Sequence, residues 1–311
     1  MKFWNIMRAL FACFFILFLL TPARAATESA APAASFSKHT ITMKNGYVST
    51  YYVYKKGRGD SDTFLFFISG SGCTSLKYYL KKYFEDLNGD ITIYALQKRF
   101  VKDSAISLTE CPKDFNEWND FPRWVTDQQF FVNEILKETV HPPKNILIFG
   151  VSEGGNVAAA VATRILPATH LAIIGSGGMK QADELKLLNF GESKIDFDAE
   201  YQNITVDPYD VDKDFLGQKY KYWASVLFVD PIPYYSKLDI PILVAMGEDD
   251  QSVPIESGLY LKNSFAMLHK SNLTFISYPG CNHSLVDADG IDHKKDFFDK
   301  LVKWLAGEKV N

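Results

Sequence analysis

The chain has 311 residues, 47% of them hydrophobic and 23% charged, enough apolar material for a full core without a disulfide or metal staple. Its formal net charge is −4. That acidic balance excludes the electrostatic attraction for phosphate backbones or anionic lipid on which nucleic-acid and membrane-surface binding rests.

The first residues differ from the rest. Lys2 and Arg8 flank or precede an apolar run from Ala9 to Leu20, about the length of a signal-peptide h-region and too short to span a bilayer comfortably. Pro22 breaks it, and Ala23-Arg24-Ala25 offers small residues at the two positions a signal peptidase reads. Residues 1–25 are therefore expected to be a signal peptide cleaved after Ala25, with an uncleaved anchor as the alternative. The protein is expected to be periplasmic or secreted, meeting the membrane only through this segment. Cleavage removes Lys2, Arg8 and Arg24 and no acid, taking Lys+Arg from 33 to 30 against 37 acidic residues, a net charge of −7. Residues 26–36, composed largely of Ala, Ser, Thr, Glu and Pro, are expected to form a flexible leader.

Strands are expected at His39–Met43 and Tyr47–Tyr54, joined through the hairpin signal Asn45-Gly46. Thr63–Ile68 and Ile91–Leu96 are continuous apolar runs that suit strands buried on both faces, with a helix from Leu76 to Leu87 between them. Residues 98–121 are expected to be irregular. A helix follows from about Pro122 to Val140, ended by Pro142-Pro143. Then come the strand Asn145–Phe149, an alanine-rich helix Glu153–Ile165 and the strand Leu171–Ile174. Residues 178–238 break the rhythm, with one expected helix at Gln181–Leu188. It resumes with the strand Pro241–Met246, a helix from about Glu256 to Leu268, the strand Leu273–Tyr278 and an amphipathic last helix carrying Phe297, Phe298, Leu301, Val302 and Leu305. Alternating strands and helices predict an α/β fold with a mostly parallel sheet covered on both faces. Residues 37–177 and 239–311 form the core and 178–238 an inserted cap.

Between the expected strand ending at Phe149 and the small-residue helix stands Gly150-Val151-Ser152-Glu153-Gly154-Gly155. A G-x-S-x-G match gains meaning from that strand–turn–helix setting, because the sharp turn lifts the serine hydroxyl clear of the sheet and leaves no room for side chains two positions away. Here the sequence resembles the α/β-hydrolase superfamily, over roughly Thr63 to Trp304. The resemblance implies a serine nucleophile after the fifth core strand, an acid after the seventh and a histidine after the eighth, in the chain order Ser, Asp, His. Ser152 is the nucleophile on this reading; Ser71 and Ser176 sit in glycine turns without the following helix. Among the six histidines, only His283 lies in a loop just beyond a core strand, within Tyr278-Pro279-Gly280-Cys281-Asn282-His283-Ser284. It is the candidate base. Gly247-Glu248-Asp249-Asp250-Gln251-Ser252-Val253-Pro254 resembles the family's Gly-x-x-Asp-x-x-Val-Pro stretch, which selects Asp250 over its neighbour Asp249 as the acid.

Attack on a carbonyl also needs N–H donors for the developing oxyanion, each worth about 3 kcal/mol. The resemblance implies the N–H of Glu153 and one from Ser69-Gly70-Ser71-Gly72-Cys73, where many relatives carry His-Gly; Ser71 is selected. Of the three cysteines beyond residue 25, Cys73 and Cys111 are the favoured disulfide pair, closing a loop of about 40 residues and restraining the unfolded chain by about 4 kcal/mol. Three free thiols are the alternative.

Tyr220, Tyr222, Trp223, Phe228, Tyr234 and Tyr235 make 178–238 rich in aromatics. Trp223 and Tyr222 are candidate walls of the substrate pocket, with packing of the cap on the core as the competing reading. The histidines are scattered and no Cys-x-x-Cys occurs, so neither a metal nor any other cofactor is expected. The expected activity is hydrolysis of a small-molecule carboxylic ester through an acyl-enzyme. A serine peptidase or amidase of the same fold, and a catalytically silent binding protein, are the alternatives.

Overall fold

The computed structural model describes residues 34–57, 61–107, 110–191 and 194–310. The expected signal peptide and all but the end of the expected leader lie outside the described residues. That end is not loose chain: strand β1 (Ser35–Thr42) pairs antiparallel with β2 (Val48–Lys56) along its length, Phe36 facing Tyr54 and stacking on Tyr52. β1 is exposed at almost every position, so backbone pairing rather than burial holds it.

The core then follows in order: β3 (Thr63–Ile68), α1 (Leu76–Tyr83), β4 (Ile91–Leu96), α2 (Lys113–Trp118), α3 (Phe121–Glu138), β5 (Asn145–Val151), α4 (Glu153–Ala162) and β6 (His170–Ile174). The stretch expected as an insertion, 178–238, contributes α5 (Gln181–Leu187), α6 (Phe197–Val206), the two-residue strands β7 (Asp214–Phe215) and β8 (Gln218–Lys219), α7 (Tyr220–Val226) and α8 (Ile232–Ser236). β9 (Ile242–Gly247), α9 (Ile255–Met267), β10 (Leu273–Tyr278) and α10 (Lys294–Leu305) complete the chain. Helix α2 corrects the irregular reading of 98–121: six residues are too few to show a helical period, and it starts on Pro112 without a side-chain cap.

The large sheet has the order β1-β2-β4-β3-β5-β6-β9-β10. β2 runs antiparallel to β1 and β4, and the other pairings are parallel. The apolar runs serve two cores at once, since neighbours on a strand face opposite ways. Phe66, Ile68, Ile146 and Ile148 join α3, α4, α9 and the insertion on one face. Leu65, Phe67, Leu147 and Phe149 join α1 and α10 on the other.

This order places the site. From β3 the chain crosses to β4 on one side, and from β5 to β6 on the other. The strand ends of β3 and β5 therefore border a topological switch point, where a crevice opens beyond the carboxyl ends. The register Ile68↔Gly150 brings the loop after β3 beside the turn after β5.

Candidate active site

Ser152 sits at the β5–α4 turn with φ 54° and ψ −133°, a left-handed backbone that a non-glycine residue adopts only where its surroundings hold it. The Ser152 N–H donates to Ile174 O at 2.8 Å, and its carbonyl accepts from Gly155 N at 2.8 Å. The flanking glycines are required by close approach. A Cβ on Gly150 would stand 2.3 Å from Gly154 O, and one on Gly154 would stand 2.3 Å from Ile68 O. The serine is thus pressed to the top of the sheet, half-buried at the helix start.

His283 and Asp250 come from the ends of β10 and β9. The Asp250 carboxylate accepts from His283 Nδ1 at 2.7 Å through Oδ2, and from the Ser252 and Val253 N–H groups at 2.7 and 3.0 Å through Oδ1. Its side chain is fully buried, whereas Asp249 is exposed. With an acceptor on Nδ1, that nitrogen carries the proton and Nε2 is left as the basic atom. The loop is shaped by Asn282, whose Oδ1 accepts from Ser284 and Val286 N–H. Gly175 forms part of the histidine's seat: a Cβ there would lie 2.9 Å from His283 Cε1.

The loop after β3 passes close to the serine. A Cβ on Gly70 would stand 3.1 Å from Ser152 Cβ. Ser71 is exposed on the wall of the adjoining cavity, and Glu153 is the first residue of α4, where a helix leaves its N–H groups without intrahelical partners. Cys73 and Cys111 are joined by a disulfide with Cα atoms 5.6 Å apart, and Cys281 is a free, buried thiol. Ser75 N–H donates to Ala105 O at 2.8 Å, and Thr74 Oγ1 to Ser107 O at 3.1 Å. Gln97 adds a third tie, accepting from Leu76 N at 2.7 Å.

Ser152, His283 and Ser69–Gly72 open together onto a cavity of about 420 Å³, whose apolar wall is Leu76, Tyr79, Tyr83, Val151 and Ile174. At its rim Lys82 pairs with Glu85 and Lys294 with Asp292. Trp223 and Tyr222 do not line it, which corrects the expected pocket wall. They are 7% and 3% exposed and packed in the core shared with α3 and α4, and Trp223 Nε1 donates to Phe215 O at 2.6 Å. The insertion lies on the opposite face of the sheet from α1, and none of its described residues walls this cavity. The signal that could have found this cavity's wall was the Tyr78-Tyr79 and Tyr83 cluster on α1, directly after the loop with glycines. Among the described residues no group of three or more His, Cys, Asp or Glu could hold a metal.

A family model, Peptidase_S9, the prolyl oligopeptidase family, matches residues 123–308, more than half of the chain and the whole stretch that carries Ser152, Asp250 and His283. The chain belongs to the prolyl oligopeptidase family. Its fold is that of the α/β-hydrolases. It resembles the acylamino-acid-releasing enzymes of Homo sapiens and Rattus norvegicus, each 23% identical over 58% of this chain. The chain spans about a quarter of the length of these curated relatives (23%). Solved structures share the fold. The carboxyl esterase from Bacillus coagulans has a TM-score of 0.62 at 15% identity, covering 88% of this chain and 99% of that one. The Pyrococcus horikoshii acylaminoacyl peptidase has a TM-score of 0.60 at 12% identity, covering 88% of this chain and 41% of that one.

Proposed function

We propose that this protein is a serine hydrolase that cleaves small-molecule carboxylic esters through an acyl-enzyme on Ser152. The observation that carries this reading is the opening of Ser152 and an Asp250-bound His283 onto one apolar cavity. His283 Nε2 takes the Ser152 proton as Oγ attacks the carbonyl, then returns it to the leaving alcohol. Asp250 holds the ring and stabilises the imidazolium that forms. The N–H groups of Ser71 and Glu153 receive the oxyanion. Water then repeats the sequence to release the acid. Leu76, Tyr79 and Tyr83 suit an alkyl or aryl acyl group.

A second reading, cleavage of an acylated amino acid from a peptide, is favoured by the likeness to acylamino-acid-releasing enzymes over 183 residues. Export is part of the proposal. It is supported by the Lys2–Ala25 pattern and by a disulfide, which persists in oxidising compartments. Mass spectrometry of exported protein is expected to find Ala26 first, and a retained Met1 refutes cleavage.

Hydrolysis of short and long p-nitrophenyl esters, beside an acylaminoacyl anilide, tests the reaction. Wild type is expected to turn over the esters and Ser152→Ala not to. Asp250→Asn is expected to lower kcat by about 10³-fold or more, through the wrong tautomer of His283, and Asp249→Asn to leave it within a few-fold. Fluorophosphonate labelling of Ser152 with anilide but no ester turnover supports the peptidase reading. Absence of both labelling and turnover refutes the enzyme reading.

A further inference from the structure

The chemistry proposed above needs two N–H groups aimed at one point, and one of them lies on a glycine loop that has no regular element of its own. Lys98, just past the end of β4, meets that loop from beneath. Its side chain is 2% exposed. The ammonium donates to Gly70 O at 2.9 Å, stands 4.0 Å from Glu153 Oε2, and lies 3.7 Å from the Trp124 ring centroid. Burying such a pair is seldom the most stabilising choice, since apolar residues of similar volume often serve stability as well or better. What this pair touches suggests another use. The Gly70 carbonyl and the Ser71 N–H belong to one trans peptide and point to opposite sides of the chain. A donor that holds the Gly70 oxygen inward turns the Ser71 N–H outward, toward the cavity that Ser71 lines. Glu153, the ammonium's partner, immediately follows Ser152 and carries the other proposed donor on its own backbone.

We propose that Lys98 is a positioning residue of the oxyanion hole, its ammonium fixing the Gly70–Ser71 peptide against Glu153 so that both N–H donors converge on the carbonyl attacked by Ser152. This inference rests on the reading of Ser152 as nucleophile. The groups facing the ammonium are the Gly70 carbonyl, the Glu153 carboxylate on α4, and the rings of Trp124 on α3 and Phe115 on α2. Tyr222 on α7 stands against Glu153. Burial pushes Lys98 down to about 8, with Glu153 opposing the shift. Burial pushes Glu153 up, with Lys98 and the Tyr222 hydroxyl opposing it. The charge that grips Gly70 is therefore lost as pH rises through about 8.

Steady-state hydrolysis of p-nitrophenyl acetate and thermal melting of the full chain test this with Lys98→Met and Lys98→Met/Glu153→Gln. Lys98→Met leaves a buried carboxylate unpaired and is expected to lower Tm. The double variant leaves no unpaired buried charge at this position and is expected to recover most of that loss. Its kcat is nonetheless expected to stay about tenfold to a hundredfold below wild type, with KM within about threefold. A kcat that returns along with Tm overturns the proposal. The pH profile gives a reading that does not depend on how the Lys98 variants fold: wild-type kcat declines above about pH 8, and Glu153→Gln moves the decline to lower pH by removing the opposing carboxylate. An alkaline decline that Glu153→Gln leaves in place also overturns it. Wild type that shows neither turnover nor fluorophosphonate labelling refutes the nucleophile reading instead, whereas ester turnover with wild-type kcat in the Lys98 variants refutes the role of Lys98 alone.

Discussion

Glu184 shows how much one buried group can hold behind the candidate site. It lies on α5, 5% exposed, and its Oε1 accepts from Ser257 Oγ at 2.5 Å. Ser257 in turn accepts from the Met179 N–H at 3.1 Å. Burial pushes the carboxyl up to about 7 from an ordinary value of 4.5; the Ser257 hydroxyl opposes the shift, and the Asp250 charge adds to it. A carboxyl whose folded-state pKa is raised keeps its proton in the native state over a range in which the unfolded chain has lost it. Its contribution to stability is therefore fully present below about pH 4.5 and falls away as pH rises through about 7. Glu184→Gln removes this dependence. The fall in Tm between pH 5 and pH 8 is expected to be smaller in the variant than in wild type, and an equal fall in both contradicts the assignment. Residue-level legibility was uneven. Asp250 and Asp249 are adjacent carboxylates of identical chemistry, and the resemblance to a Gly-x-x-Asp-x-x-Val-Pro stretch was needed to choose between them. In the structure one is sealed against His283 and the other faces solvent.

At the scale of elements, the strands and helices with long apolar periods were legible to within a few residues, because burial on a sheet imposes its own pattern. Elements held by other forces were not. The start of β1 is an exposed edge maintained by ladder bonds to β2, and α2, α7 and α8 have six, seven and five residues, too short for a period to emerge. The loop after β3 is the element on which the proposed reaction most depends. The segment from Gln97 to Cys111 holds it through the disulfide, through Ala105 and Ser107, and through Gln97. Reduction of Cys73–Cys111, or Cys73→Ser/Cys111→Ser, is expected to lower kcat several-fold while far-UV circular dichroism stays native, since the two cores of the sheet do not include the bridge's far end. Unchanged kcat after verified reduction refutes a role for the bridge in holding this loop.

Across the whole molecule, the sheet separates two regions that the sequence reading had joined. The aromatic insertion packs with α3 and α4, and the cavity opens over α1. Trp223→Ala is therefore expected to cost about 3 kcal/mol of stability or more, as for other buried tryptophans, and to leave the preference between long and short p-nitrophenyl esters unchanged. Tyr79→Ala is expected to shift that preference several-fold with little change in Tm, because Tyr79 is 39% exposed on the cavity wall. A chain-length preference that moves with Trp223 and not with Tyr79 returns the pocket to the insertion. By itself the sequence determined the α/β fold, the serine turn after β5, and the strand ends from which the histidine and its carboxylate come. Steric demands at the turn and burial on the strands write themselves into residue type and spacing. Only the tertiary structure decided which face carries the cavity, which aromatics wall it, and which buried ammonium lies beneath the glycine loop. These depend on crossovers between strands distant in the chain, and such crossovers leave no local period to read.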